Sequence, residues 1–131
     1  MKALTSQRLN ELSGIIVDSS IEAHRHLGPG LLESAYETCL AFELRSRGLV
    51  VHTQVEVPIV YKGVRLDTGY RIDLLVEEAV VVELKTVQRI VPVHEAQLLT
   101  HLKLGGFRLG LLLNFYVPVM REGIRRIVNG F

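Results

Sequence analysis

Two carboxylates and an ammonium, Asp73, Glu83 and Lys85, interrupt the most apolar part of the chain, GYRIDLLVEEAVVVELKT at residues 69–86. Ionised groups are almost never buried without a partner, because desolvation is costly. On a strand, Glu83 and Lys85 point to one face, roughly 7 Å apart. Asp73 joins them only if the connecting hairpin has the right length. A two-residue loop at Glu77-Glu78 pairs Asp73 with Val82 and leaves Glu83 on the other face. A three-residue loop through Ala79 sets Asp73 beside Glu83. The turn lacks the Gly or Asn of tight primed turns, so the longer loop is credible without being compelled. Two facing carboxylates repel unless something positive lies between them. Lys85 supplies part of that charge, and a divalent metal would supply more. An all-oxygen set suits Mg²⁺ or Mn²⁺. A plain ion-pair network, Asp73 with Lys85 or Arg71, accounts for the periodicity equally well.

The surrounding pattern supplies elements to hold these groups. Leu9, Leu12, Ile16, Ala23 and Leu27 predict an amphipathic helix over 8–27, stopped by Gly28-Pro29-Gly30. A second helix is expected from Leu31 or Leu32 to Arg47, with Gly48 ending it and Leu32, Ala35, Cys39 and Phe42 in its apolar set. The period then changes. LVVHTQVEVPIVYKGVRL, turning at Lys62-Gly63, predicts two strands, and YRIDLLV and AVVVELKT predict two more. Helical spacing returns over 93–104 with Leu98, Leu99 and Leu102, and Gly105-Gly106 closes it. RLGLLLNF is a continuous apolar run, as for a strand covered on both faces, and EGIRRIVNGF is read as a short edge strand. A helix between strands makes a right-handed crossover to a parallel neighbour. The expected fold class is α/β, a mixed central β-sheet with helices on both faces.

The chain's 131 residues, 48% hydrophobic and 22% charged, suit one domain, expected over 1–131. Fifteen basic against fourteen acidic residues lack the strong basic excess common in nucleic-acid binders, although a basic rim around an acidic site would average out. A single cysteine, Cys39, precludes an internal disulfide and argues against a cysteine-based zinc site. No apolar run approaches the ~18 residues of a membrane span. The N-terminal stretch lacks a signal peptide's apolar core, so a cytoplasmic location and no membrane partner are expected.

Asp73, Glu83 and Lys85 have the D…ExK spacing of the PD-(D/E)XK nuclease superfamily. GPGLLESAYETCLAFELRSRGL, with Gly30, Glu33 and Tyr36, resembles the GxxExxY motif family within it. GYRIDLLVE, VVELKTV, VHEAQLLTHLKLGG and GLLLNF resemble its later blocks in order, over residues 10 to 128. The resemblance implies a restriction-endonuclease-like core and metal-dependent phosphodiester hydrolysis of nucleic acid, DNA being the expected substrate. It implies Asp73 and Glu83 as metal ligands, the Leu84 carbonyl as a third, and Glu33 reaching the metal directly or through water. Lys85 would orient or activate the attacking water, and Gln97 would support the site. Where the family pattern leads us to expect tyrosine four residues after Gln97, this chain has His101. His94, Gln97 and His101 are expected on one face of their helix, opposite the leucines, and Glu37 is expected to face solvent.

Candidate contacts to a phosphate backbone are Arg71, Lys103, Arg108, Arg121, Arg125 and Arg126, with a solvated face as the plainer reading. A homodimer or a partner protein is expected to complete so small a domain, with GIRRIV as a first contact surface. The alternative to an enzyme is a catalytically silent binding subunit that retains the fold. A small-molecule hydrolase has no nucleophile–base constellation behind it; Ser34 and His94 are unanchored.

Overall fold

The computed structural model describes residues 4–131, the side chain of Thr68 aside. Helix α1, Ser6–Leu27, begins where the Thr5 side chain accepts the Arg8 N–H at 3.0 Å, and it ends at Gly28 (φ 71°). Helix α2 is Glu33–Ser46. Just beyond Arg47, Gly48 (φ 86°) takes the left-handed conformation that closes the helix, and Leu49 donates back to the Leu44 carbonyl at 3.2 Å.

Five strands form one sheet in sequence order: β1 Val51–Tyr61, β2 Val64–Val76, β3 Val80–Lys85, β4 Leu109–Asn114 and β5 Ile124–Val128. Neighbours are antiparallel except β3 and β4, whose parallel pairing is made possible by helix α3, Pro92–Gly105, crossing between them. The mixed sheet with helices on both faces agrees with expectation, and GIRRIV contributes the edge strand β5.

Two expectations need correction. Only three strands precede α3, because β2 runs unbroken through Gly69. There β1 and β2 shift register between Pro58 and Ile59, and a Cβ on Gly69 would lie 2.0 Å from the Val57 carbonyl oxygen. The glycine is a close-approach point in a continuous strand, not a break. The core face of α2 is also rotated from the expected one: Tyr36, Leu40, Ala41 and Leu44 are buried, whereas Leu32 and Phe42 are exposed. Both sets have helical spacing. Tyr36 decides between them by stacking on Phe115 with ring centroids 4.4 Å apart.

Two cores flank the sheet. On one face α1 and α2 cover Leu74, Val76, Val80, Val82, Leu84, Leu111 and Leu113. On the other, Leu98 and Leu102 of α3 cover Ile72, Leu75, Val81 and Leu112. Each fully buried leucine contributes on the order of 1.5–3 kcal/mol relative to exposure. Strands β3 and β4 are therefore apolar except at Glu83 and at their last residues, Lys85 and Asn114.

Candidate active site

The β2–β3 hairpin adopts the longer of the two loops. Val76 pairs with Val80, and Glu77 and Glu78 both occupy left-handed backbone (φ 54° and 52°). Val50 stabilises this turn: its carbonyl accepts the Glu77 N–H at 2.8 Å, and its own N–H donates to the Glu77 carboxylate at 2.7 Å. Pairing continues to Leu74 and Val82, so the next step sets Asp73 opposite Glu83. There the main-chain ladder stops. Asp73 Oδ2 accepts the Leu84 N–H at 2.9 Å, a side chain replacing a rung of the sheet.

The distortion extends into β1. Gln54 faces Asp73 between the pairs Thr53–Leu74 and Val55–Ile72, and it sits at φ 53°. Its amide donates to Asp73 Oδ1 at 3.4 Å and to Glu37 Oε1. Residues two apart on a strand share a face, yet Ile72 packs in the α3-side core and Leu74 in the α2-side core. The strand turns over at Asp73, whose carboxylate therefore lies in the fork between β2 and β3 rather than on either face.

A cavity opens on each side of that fork. Toward α2, about 250 Å³ is lined by Glu33, Ser34, Glu37, Gln54, Asp73 and Leu84. N–H and C=O of a strand residue project to the same side, so the Leu84 carbonyl also faces the fork. Toward α3, a tighter cavity of about 20 Å³ is lined by Glu83, Lys85, His94, Gln97, Leu98, His101 and Leu112. Gln97 is exposed at its rim. His94, Gln97 and His101 thus do converge, but they do so beside Leu98 rather than opposite it. His94 also accepts the Val91 N–H at 3.1 Å and so helps to start α3.

Burial and like charge govern the acidities here. Glu83 is 9% exposed, and its carboxyl is pushed up to about 8, first by burial and then by the Asp73 charge; Lys85 opposes the shift, while hydrogen bonding with Asp73 and the Glu33 charge add to it. Glu33 is raised by burial and by Asp73. Glu37 is raised by burial, against the lowering effect of the Gln54 hydrogen bond. His101 is lowered by burial and by Lys85. Glu83 Oε1 and His101 Nδ1 lie 3.6 Å apart, both buried and both without a hydrogen-bond partner. Tyr70 stacks on His101 at 4.0 Å and donates to its carbonyl, and its hydroxyl is pushed up to about 12 by burial and Glu83.

This donor chemistry fits a hard divalent cation. Two facing carboxylates, one carrying a buried unpaired oxygen, need positive charge that Lys85 alone does not supply. Among the described residues, no three His, Cys, Asp or Glu side chains converge as a ready-made metal cage. A cation held here would rely on Asp73, Glu83, the Leu84 carbonyl and water, which is how Mg²⁺ commonly binds.

A family model described as the PD-(D/E)XK nuclease superfamily matches residues 10–127. The chain belongs to that superfamily, whose members are nucleases, hydrolases of nucleic acid that typically use divalent metals. No curated protein and no solved structure gave a significant match.

Sequence reasoning missed two groups at the fork. Glu37, expected in solvent, is half-buried in the Asp73 cavity; it follows Glu33 by four residues, a spacing that predicts a shared helical face. Gln54 had no local signal. Of the candidate phosphate contacts, Arg108 is engaged by the Leu4 carbonyl and Ser6, Arg126 by Asn10, and Arg71 by Glu56. Lys103 and Arg121 are exposed.

Proposed function

We propose that this chain hydrolyses phosphodiester bonds in nucleic acid, with DNA as substrate and Mg²⁺ or Mn²⁺ as cofactor. Asp73 and Glu83 would hold the metal with the Leu84 carbonyl, and Glu33 would reach it through water. When bound, such an ion lowers the pKa of water and neutralises a phosphate. The remaining roles belong to the protein. Glu83 would release its proton to solvent on becoming a ligand. Lys85 keeps a fixed positive charge beside the carboxylates, where the pentavalent phosphorus centre accumulates negative charge. Gln97 supports the Lys85 side from the rim. Asp73 is held by the Leu84 N–H and Gln54, so it needs little reorganisation. Gly30, Glu33 and Tyr36 are assigned to a GxxExxY motif, and a cytoplasmic homodimer is the form proposed for the active species.

The observation that carries this reading is the buried, unpaired oxygen of Glu83, on a carboxyl that feels the Asp73 charge and has Lys85 two residues on. A structural ion-pair network would leave no such oxygen. One observation favours the alternative of a catalytically silent subunit: both Asp73 oxygens already accept hydrogen bonds.

The test is cleavage of single-stranded, duplex and branched DNA and of RNA, in Mg²⁺ or Mn²⁺, by wild type, Lys85→Ala and Asp73→Ala. Wild type is expected to cut at least one substrate, and chelation to stop it. Both variants should be slower by about a hundredfold or more. An Asp73→Ala protein that cleaves at the wild-type rate under saturating Mg²⁺ rules the mechanism out.

A further inference from the structure

Two loops beside the site are fastened by buried polar side chains. Tyr36 donates its hydroxyl hydrogen to the Gly28 carbonyl and accepts the Leu31 N–H at 3.1 Å, fixing the turn that leads into Glu33. Opposite it, the segment after β4 is held from two directions. The His24 ring donates through Nε2 to the Val117 carbonyl at 2.8 Å. Asn114 accepts the N–H groups of Tyr116 and Val87 and donates to the Val87 carbonyl at 2.8 Å. Tyr36, His24 and Asn114 are all buried.

Between these walls lies a groove of about 350 Å³ lined by Pro29, Gly30, Tyr116, Val117 and Pro118. No lining side chain is charged, and Tyr116 is 47% exposed. Both walls of the groove are main-chain neighbours of the carboxylate site. Gly30 lies three residues before Glu33, and Asn114 pairs with Lys85, whose carbonyl accepts the Phe115 N–H at 2.9 Å. A ligand that reached both places would present a charged group to Lys85 and a flat uncharged one to Tyr116.

We infer that this groove receives an unstacked nucleobase of the strand being cut, which makes single-stranded or frayed nucleic acid the substrate class; the inference rests on the nuclease reading above. A base within a duplex has both faces occupied and must leave the stack before it can meet an aromatic side chain. Aromatic stacking tolerates every base, so the groove selects strand state and not sequence. Walls already fixed by hydrogen bonds bind without a large ordering cost.

The test is a fluorescence titration of a single-stranded oligonucleotide carrying 2-aminopurine, in chelator so that nothing is cut. Wild type, Tyr116→Ala and Tyr116→Phe are compared, with a blunt duplex as control. Tyr116→Ala should weaken single-strand binding about tenfold, Tyr116→Phe should restore it, and duplex binding should be equal for all three. Equal single-strand affinity of wild type and Tyr116→Ala, an equal loss on duplex, or no single-strand binding by wild type would overturn the inference. The titration needs no catalysis. A chain that binds single strands through Tyr116 yet cleaves nothing refutes the nuclease reading and leaves the groove standing. Cleavage by wild type with unchanged affinity in Tyr116→Ala refutes the groove alone.

Discussion

The two sides of the β2–β3 fork carry similar residue types in opposite circumstances. Toward α2, Glu33 and Glu37 border a roomy cavity, and the Gln54 amide ties Glu37 to Asp73. Toward α3, Glu83 is buried in a tight space, with its free oxygen facing an unpaired histidine nitrogen. Acidity follows the surroundings: the α2-side carboxyls are raised, but Glu83 is carried to about 8. The difference teaches that the fork has a wet side able to exchange substrate and a dry side able to store a charge deficit.

The largest test of that contrast is Glu83→Gln. It should abolish site-dependent Mn²⁺ binding in calorimetry, and wild-type binding near pH 7 should release about one proton. The pH dependence has a definite sign. Glu83 titrates higher in the folded protein than its ordinary 4.5, so its contribution to stability is complete below that value and is lost as pH rises toward about 8. Without metal, wild type should lose about 5 °C or more of Tm relative to Glu83→Gln between pH 5 and 8, and Mn²⁺ should reverse the loss. Parallel Tm profiles for the two proteins would erase the dry side.

An intermediate effect is expected at Gln54, which links Glu37 to Asp73. Gln54→Gly keeps the left-handed backbone accessible but loses the amide, so kcat should fall about tenfold with little change in Tm. Gln54→Asn, which suits the same backbone, should recover part of that loss. Equal activity of Gln54→Gly and wild type would confine Gln54 to shaping the strand. The smallest effect is expected at His101. Its pKa is already lowered, so it is neutral across pH 7–8, and His101→Phe should change the cleavage rate less than about fivefold without moving the pH profile. A shifted profile would make the histidine a proton carrier.

Much of the scaffold was legible in the chain. Gly28-Pro29, Gly48 and Gly105-Gly106 mark helix ends through local backbone chemistry, and the apolar runs of β3 and β4 reflect cover on both faces. What escaped depends on neighbours. Helix α2 carries two apolar stripes, and only stacking against Phe115, far along the chain, selects one. Gly69 resembles a strand break until the Val57 carbonyl is seen beneath it. The spacing of Asp73, Glu83 and Lys85 singled them out as a candidate site because β-strands convert sequence parity directly into direction. Even so, parity alone left Asp73 undecided. A left-handed glutamine inside a β-branched run, together with the turn-over of β2 at Asp73, gives the aspartate a position that strict alternation does not describe.

With Asp73 in the role proposed above, its bond from the Leu84 amide would make sheet completion and chemistry mutually exclusive. A variant engineered for heat resistance by zipping the second and third strands together would gain order and close the opening between them. Selection for activity should therefore keep that seam imperfect, and tolerance of mutation should be lowest where the seam ends.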